Sequence, residues 1–270
     1  MQDTNAMKDL DFIRSHVELS YFTGSRVLVT GASGFFGTWL GRALDGRCTL
    51  TLADRAGYMP SLRHEYDFIL HFAPTPIEPV LDCADRNGAV VLYASSGAVY
   101  GGVKRKVSEI DETFPKTEYG KEKLASEFAL KESGLDYRIC RLFAFCGPGM
   151  RDYFAITAFV NAVKRGKPLV LYGGGKSVRT YLYIADAVVW ILNILLHGHG
   201  TYNVGSERET SILELALYIA SESVPRNEIY VDPRAFVDPA PYYVPDCERA
   251  NHIGLVQWHD LDYGIKRMME

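Results

Sequence analysis

The amino-acid sequence predicts an α/β protein built on a Rossmann-like, doubly wound parallel sheet, with a smaller α/β lobe towards the C-terminus. Apolar, β-branched segments alternate with segments of helical periodicity through the first half of the chain, as they do in parallel sheets with crossover helices. A glycine-rich turn lies between the first such strand and the helix that follows it, at residues 31–37. Beyond residue 150 the predicted elements become shorter and more mixed. We therefore divide the chain into an N-terminal extension (1–25), a main domain (26–150) and a C-terminal lobe (151–270).

Residues 26–40, RVLVTGASGFFGTWL, carry the clearest functional pattern in the sequence. The apolar run at 27–30 is typical of a buried strand, and the apolar positions 36, 40, 43 and 44 then follow at helical spacing. The turn between them lets the backbone approach a diphosphate, whose charge lies against the free N–H groups at the start of the helix. We predict that residues 26–150 bind a dinucleotide, and that the turn does so through Gly31, Ser33, Gly34, Phe35, Phe36 and Gly37.

An acidic residue, Asp54, ends the next predicted strand, at residues 48–53. It lies near the distance expected for a carboxylate that binds the adenosine ribose hydroxyls of NAD, where it would repel the additional phosphate of NADP. Arg55 favours NADP instead, because an arginine beside the acid can bind that additional phosphate. We expect NAD as the cofactor, with NADP less favoured, and count both residues among the cofactor-binding positions.

The rest of the main domain alternates between predicted strands and helices. Apolar positions 10, 13 and 17 mark one face of a short helix that packs on the outside of the fold. Twelve residues separate Asp54 from the next strand, which leaves little room for a crossover helix. Leu124 and Phe128 are predicted to face inward from the helix that begins near residue 119. The predicted elements after residue 54 are strands at 67–73, 89–94 and 137–143, and helices at 80–86 and from about 119 to Gly134.

The C-terminal lobe shows mainly structural signals. The glycine run 173–175 lacks the lysine and serine of a phosphate-binding loop, so we interpret it as a hairpin turn. Ser211 and Glu214 have the spacing of a capping box at the start of an apolar helix. Residues 239–245 contain three prolines and two tyrosines, which predicts an extended segment. We interpret Arg141 and Asp186 as structural residues, and His71 as a hydrogen-bonded core residue.

Three polar residues are candidates for catalysis: Ser96, Tyr119 and Lys123. Ligands of a doubly wound sheet bind beyond the carboxyl ends of its strands, where Ser96 follows a predicted strand. A tyrosine with a pKa of about 10 is a poor base at neutral pH, but a lysine one helical turn away favours its phenolate. Tyr119 and Lys123 have that spacing, so Tyr119 could exchange a proton while Ser96 holds the reacting oxygen.

These features together resemble the extended short-chain dehydrogenase/reductase family, in its NAD-dependent nucleotide-sugar epimerase/dehydratase branch. The resemblance covers residues 26 to about 255 through TGASGFFG, DFILHFA, SSGAVYG, the Tyr119/Lys123 pair, RLFAFCGPG, VRTYLYIADA and YNVGS. It implies that Ser96, Tyr119 and Lys123 are catalytic, and that Tyr119 and Lys123 also contact the cofactor. It implies substrate binding by Ser96 and by Arg179, which would hold a diphosphate. Further cofactor contacts are expected at Phe72, Ala73, Pro74 and Ala94.

The sequence departs from the family pattern in four places. The segments 55–66 and 74–88 are far shorter than usual, and the second normally carries a helix that joins two subunits. A homodimer of the family type would therefore have to form through a shortened helix. Cys146 stands where the family prefers tyrosine. The second phosphate-binding arginine is not evident near Tyr243, and Arg234 is the candidate to replace it.

Composition excludes several classes of function. The net charge of −4, without a long block of like charge, argues against a nucleic-acid-binding surface. Five scattered cysteines lack the spacing of metal ligands, so we expect no metal site, no disulfide and a reducing, cytoplasmic compartment. We find neither a signal peptide nor an apolar run of about 18 residues, and so expect no membrane partner.

The expected activity is NAD-dependent modification of a nucleotide-linked hexose, by a C4 epimerase or a 4-ketoreductase that transfers hydride at the sugar ring. A 4,6-dehydratase is a weaker alternative, because dehydratases of the family resemble T-D-E where this chain has Ser96-Gly97-Ala98. A non-catalytic dinucleotide-binding sensor is a further alternative. It is disfavoured because the serine, the tyrosine and the lysine are all present.

Overall fold

The structure, a computed structural model, describes residues 4–222, 226–232 and 241–270. Its helices are α1 (Thr4–Ser15), α2 (Phe35–Leu44), α3 (Tyr58–Ser61), α4 (Glu78–Asn87), α5 (Glu118–Glu132), α6 (Ala155–Lys164), α7 (Ile184–His197), α8 (Ile212–Ser221), α9 (Glu248–His252) and α10 (Leu261–Met269). Its strands are β1 (Arg26–Thr30), β2 (Thr49–Ala53), β3 (Phe68–His71), β4 (Val90–Ser96), β5 (Tyr137–Leu142), β6 (Phe145–Cys146), β7 (Leu169–Tyr172), β8 (Val178–Arg179), β9 (Leu182–Tyr183), β10 (Gly200–Val204), β11 (Thr210–Ser211), β12 (Ile229–Asp232) and β13 (Tyr242–Tyr243).

The main sheet has six strands in the order β10-β5-β4-β3-β1-β2, and all of its pairings are parallel. The predicted Rossmann-like sheet is therefore confirmed. Its last strand, β10, comes from beyond residue 150 and pairs with β5 along five residues. The division of the chain at residue 150 stays a prediction, and the sheet draws its sixth strand from the C-terminal side of it.

Both faces of the sheet are covered by apolar side chains. Along β1, Val27 and Val29 belong to one core cluster and Leu28 to another, because successive side chains of a strand point to opposite faces. Helix α7 lies in the larger cluster and is buried along almost its whole length, including Trp190. A helix that is apolar on all sides belongs inside a fold rather than on its surface.

Helix α1 packs against α7 and α2 rather than standing apart. It fully buries Ile13, and Asp9 is 1% exposed. The Asp9 carboxylate accepts a hydrogen bond of 2.8 Å from the hydroxyl of Tyr183 and pairs with the guanidinium of Arg267 in α10 at 2.7 Å. The N-terminal extension is thus fixed to the C-terminal helix by a buried charge pair.

The inward orientation predicted for Phe128 is wrong, since its side chain is 52% exposed. The buried residues of α5 include Gly120, Glu127 and Leu130. Glu127 takes the inward position because it pairs with a buried arginine on β5, and the next residue along a helix points about 100° away from it. Leu124 is half-buried against the small cluster around Val99.

The hairpin predicted at 173–175 is also wrong. Strand β7 before this turn pairs with β12, whereas β8 after it pairs with β11 and β13, so the turn links two different sheets. All three glycines have positive φ, between 64° and 67°, a left-handed conformation that glycine adopts without steric cost.

Two further local predictions, the capping box and the short segments after β2 and β3, agree with the structure. Ser211 and Glu214 form the expected capping box of α8. The segment between β2 and β3 contains only the single helical turn α3, and α4 has ten residues. Tyr242 and Tyr243 are extended, while the first part of the predicted extended segment, including Pro239, and Arg234 lie outside the described residues. All five cysteines are free thiols. Among the described helices, none combines the length and apolarity needed to span a bilayer.

Candidate active site

The glycine turn after β1 has the shape of a phosphate cradle. Gly31 has φ +71°, and a Cβ there would lie 2.8 Å from the carbonyl carbon of Phe72. A Cβ on Gly37 would overlap the carbonyl oxygen of Gly31, so only glycine lets α2 pack this closely on the turn. Gly34 is the N-cap of α2 and provides no side-chain acceptor for the first N–H groups of the helix. Such N–H groups form an anion-binding site, and this turn fits a diphosphate.

The other predicted cofactor positions surround this turn in different ways. Asp54 directly follows β2, and its carboxylate accepts hydrogen bonds from the N–H groups of Ala56 and Gly57, at 3.2 and 3.3 Å. The ring of Phe36 is stacked on Phe72 with 5.5 Å between centroids. The remaining positions divide by exposure: Ser33, Asp54, Arg55 and Pro74 are exposed, Gly31, Gly34, Phe35, Phe36 and Phe72 are half-buried, and Gly37, Ala73 and Ala94 are buried.

The three predicted catalytic residues lie together at the carboxyl end of β4. Ser96 ends this strand and is 7% exposed, and its hydroxyl accepts a hydrogen bond of 3.1 Å from the N–H of Ala98. Tyr119 lies in the first turn of α5 and is 53% exposed. The Lys123 ammonium donates to the carbonyl of Ala94 at 2.8 Å and lies 5.8 Å from the Tyr119 ring centroid. The structure therefore assembles the group that the sequence predicted.

The electrostatics of this group depend on the burial of Lys123. Burial lowers the pKa of Lys123 to about 8, and the carboxylates of Glu122 and Glu127 oppose this shift. The ammonium form thus predominates at neutral pH, where its charge favours the phenolate of Tyr119. Burial raises the pKa of Tyr119, and interaction with the Ser96 hydroxyl acts in the opposite direction.

A second tyrosine, Tyr243, reaches the same serine, and the sequence did not identify it. The Tyr243 hydroxyl lies 3.3 Å from the Ser96 hydroxyl and 3.2 Å from the carbonyl oxygen of Leu142. Burial raises the pKa of Tyr243 to about 12. The only sequence signal is a pair of tyrosines in a proline-rich segment, and no spacing rule connects it to a serine so far away in the chain.

Arg179 lies on the other side of Tyr243, with its guanidinium 5.6 Å from the tyrosine ring centroid. Its side chain donates to the carbonyl oxygens of Val178 and Pro241, at 2.9 and 3.2 Å. Burial lowers the pKa of Arg179. Within the described parts of the chain no carboxylate forms an ion pair with it. Hence the structure places a partly desolvated cation next to the Ser96 group.

A buried polar network lies beneath the site. The carboxylate of Glu127 accepts hydrogen bonds from Ser95 at 2.5 Å and from the guanidinium of Arg141 at 2.7 and 3.0 Å. Arg141 also donates to the hydroxyl of Tyr100, which donates to the side chain of Asn203 on β10. Burial opposes the charge of Arg141, yet the bonds to Glu127 hold its pKa above the ordinary value. The structural interpretation of Arg141 is thus confirmed.

Asp186 and His71 also have structural partners. Asp186 is fully buried and accepts hydrogen bonds from the backbone N–H groups of Trp258 and His259, both at 2.8 Å. His71 is fully buried and hydrogen-bonded to Thr30. No group of three histidine, cysteine, aspartate or glutamate side chains within residues 4–222, 226–232 and 241–270 is arranged to hold a metal ion.

Comparison with known proteins gives a consistent result. Residues 77–205 match the model of the "NAD dependent epimerase/dehydratase family". The uncharacterized UDP-glucose epimerase YtcB of Bacillus subtilis is 31% identical over 144 residues, which cover 51% of this chain and 46% of that protein. UDP-glucuronic acid decarboxylase 1 of Arabidopsis thaliana is 27% identical to this chain. The aligned region covers 90% of this chain and 69% of the decarboxylase. The chain thus spans about half to two thirds of the length of the curated relatives it matches.

The fold is shared with solved structures. The structure of UDP-glucose 4-epimerase from Thermus thermophilus, determined in complex with NAD, has a TM-score of 0.80 and 22% sequence identity. The similarity covers 90% of this chain and 97% of that one. The chain thus matches the NAD dependent epimerase/dehydratase family model over residues 77–205 and shares its fold with the solved structure of a UDP-glucose 4-epimerase.

Proposed function

We propose that this protein binds NAD at the glycine turn and uses Ser96, Tyr119 and Lys123 to transfer hydride at C4 of a nucleotide-linked hexose, as a C4 epimerase or a 4-ketoreductase. The observation that carries the proposal is the contact set at the end of β4. Lys123 is held by Ala94 beside the Tyr119 ring, and the Ser96 hydroxyl lies 3.3 Å from the hydroxyl of Tyr243.

NAD, when bound, accepts the hydride and can return it. The protein's own residues hold the sugar oxygen and move its proton. The Ser96 hydroxyl is placed to hydrogen-bond the C4 oxygen, while the Tyr119 phenolate takes the proton of the C4 hydroxyl as the carbon is oxidised. Lys123 stabilises the phenolate through its charge. On reduction of the ketone the same proton returns from Tyr119 to the oxygen.

Elimination of water is disfavoured by the packing around Gly97. A 4,6-dehydratase needs an acid/base pair beside the serine, and a Cβ at position 97 would lie 2.8 Å from both the Phe143 ring and the Tyr243 hydroxyl. No carboxylate side chain fits there without rearrangement. In the nearby acidic loop, Glu109 accepts the N–H of Asn203 at 2.7 Å, and Asp111 is bound to Arg105 and Ser108. These contacts support redox chemistry at C4 without dehydration.

Incubation of the purified protein with NAD and a panel of nucleotide hexoses tests this function. Chromatography should detect conversion between C4 epimers, or with added NADH and a 4-keto sugar its reduction, and mass spectrometry should detect no product lighter by one water. A product lighter by one water would establish a dehydratase instead. Tight NAD binding without conversion of any sugar would support the sensor alternative.

Cofactor preference gives a separate prediction. NAD should bind more tightly than NADP, because the Asp54 carboxylate, which directly follows β2, would bind the adenosine ribose hydroxyls and repel a 2′-phosphate. Replacing Asp54 by Asn should reduce the difference in affinity between NAD and NADP, since Arg55 can then bind the 2′-phosphate of NADP without the opposing charge of Asp54. Calorimetric titration of both proteins with both cofactors measures this. Tighter binding of NADP by the unmodified protein would refute the assignment of Asp54.

Arg179 is proposed to hold the substrate diphosphate, since a guanidinium can bind two phosphate oxygens at once. The Arg179→Ala variant should bind nucleotide sugars about 1.5–3 kcal/mol more weakly, the usual contribution of a charged hydrogen bond. Its affinity for NAD should not change. Arg165→Ala, an exposed arginine after α6, is the matched control. Equal nucleotide-sugar affinity for the Arg179 variant and the control would place the diphosphate elsewhere.

A further inference from the structure

His71 contacts residues beside both parts of the proposed site: Thr30, which precedes the glycine turn, and Tyr93, whose ring lies beside Lys123. It ends β3 directly opposite Thr30, the residue before Gly31. Its ring is stacked on Tyr93, with 5.8 Å between centroids, and lies 5.9 Å from the ring of Tyr58. The Lys123 ammonium is 4.7 Å from the centroid of the same Tyr93 ring.

The hydroxyl of Thr30 connects His71 to the loop that covers the glycine turn. Its oxygen accepts hydrogen bonds from the backbone N–H groups of Phe72 and Ala73, both at 3.2 Å. Nδ1 of His71 lies 2.8 Å from the same oxygen. The backbone of Phe72 and Ala73 is the part of the chain that a Cβ on Gly31 would strike. Thr30 therefore fixes one wall of the cradle.

The hydrogen-bonding capacity of the Thr30 hydroxyl determines which ring nitrogen of His71 carries the proton. A threonine hydroxyl has one hydrogen to donate and two lone pairs to accept with. The two backbone N–H groups use both lone pairs, so the hydroxyl hydrogen must point to Nδ1 of His71. Nδ1 is then an acceptor, and the ring proton is on Nε2, which faces the carbonyl of Thr75 at 3.4 Å. Burial, together with the charge of Lys123, lowers the pKa of His71 to about 4, so the ring is neutral at physiological pH.

A protonated ring, or the other tautomer, would bring a second hydrogen to a hydroxyl oxygen whose lone pairs are both occupied. Either form would have to displace the N–H of Phe72 or of Ala73 from the Thr30 hydroxyl, although the Phe72 N–H would keep its 3.3 Å bond to the Thr30 carbonyl oxygen. The neutral Nε2–H tautomer is the one form that satisfies every group in this set.

We propose that His71 is a positioning residue for the cofactor, which acts through the Thr30 hydroxyl to hold the backbone of residues 72 and 73 against the glycine turn. This assignment rests on the proposed binding of NAD there. His71 touches neither the reacting atoms nor the cofactor in this scheme. It orients the hydroxyl, and the hydroxyl orients the loop.

Three variants separate positioning from simple core stability. His71→Asn places an acceptor near the position of Nδ1, so it should keep most of the affinity for NAD. His71→Gln places its amide near the position of Nε2, and His71→Leu has no acceptor; both should bind NAD about tenfold more weakly, as expected when a buried hydroxyl loses its partner. Affinity for a nucleotide sugar should be unchanged in all three. Tyr66→Phe, which removes a buried hydrogen bond to Ser61 without touching residues 30–31 or 71–73, is the matched control.

Calorimetric titration with NAD and a nucleotide sugar, beside denaturant unfolding of each variant, gives the comparison. Equal NAD affinity of the Asn and Gln variants, or a loss in Tyr66→Phe as large as in His71→Leu, would overturn the positioning role alone. Failure of the unmodified protein to bind NAD would overturn the proposed function and this role together. NMR of the ¹⁵N-labelled histidines in the unmodified protein needs no variant to fold, and a His71 proton on Nδ1 would also refute the proposal.

Discussion

The Tyr119→Phe variant should lose about 10²- to 10⁴-fold in kcat while binding NAD with nearly unchanged affinity. The substitution removes only the phenolic oxygen, and proton transfer by a positioned side chain contributes a factor of this size. The ring, its contact with Lys123 and the glycine turn are all preserved. Steady-state rates with the substrate identified in the product assay, together with NAD titration, measure both quantities.

Tyr243→Phe is the informative comparison for this prediction, because the Tyr243 hydroxyl lies 3.3 Å from the hydroxyl of Ser96, the serine proposed to work with Tyr119. Tyr243 is half-buried, and desolvation raises its pKa to about 12, whereas Tyr119 has the Lys123 ammonium beside its ring. Tyr243 should therefore act as a hydrogen-bonding group, and its loss should cost about 1 kcal/mol, or roughly fivefold in kcat/KM. A larger effect on kcat for Tyr243→Phe than for Tyr119→Phe would reverse the two roles.

The second large effect concerns stability. Glu127→Gln should lower the free energy of unfolding by about 3–5 kcal/mol, because it leaves the buried charge of Arg141 without its counter-charge. Both partners are almost fully buried, and Glu127 accepts hydrogen bonds from Ser95 as well. Urea unfolding followed by circular dichroism measures the change.

Glu132→Gln is the matched control for the stability prediction. It is the last residue of the same helix and is exposed, so its effect should stay within about 0.5 kcal/mol. If the two variants unfold at the same urea concentration, Arg141 is compensated by other groups in the network.

The parts of the fold that were predictable are those whose signal is local. The strand, turn and helix at 26–44 are specified by alternation, glycine spacing and helical periodicity within a short window, and the capping box at Ser211 is similarly local. The Tyr119/Lys123 pair follows from the helical repeat alone. The sequence signal for each of these features lies within a short stretch of the chain.

The features that the sequence predicted wrongly or missed depend on contacts between residues far apart in the chain. Phe128 looked like a core residue because the pattern could not show that Arg141 on β5 requires Glu127 to face inward. The glycine run at 173–175 looked like a hairpin turn because the local sequence does not show that β7 pairs with β12, which lies more than fifty residues later. Tyr243 reaches Ser96 only through the way the lobe folds back. Long-range pairing decides all three cases, and a single sequence does not display it.

The late arrival of β10 in the chain has a consequence for how the protein is synthesised. Ribosomes add about 5–20 residues per second, so β5 leaves the ribosome seconds before its partner strand at 200–204 does. During that interval the edge of β5 has free backbone N–H and C=O groups, and the space filled later by α7 is empty. Open strand edges beside apolar surface promote pairing with other chains. A nascent chain stalled after β5 has emerged and before β10 has emerged is therefore expected to need a chaperone, whereas the finished chain covers that edge with its own strand.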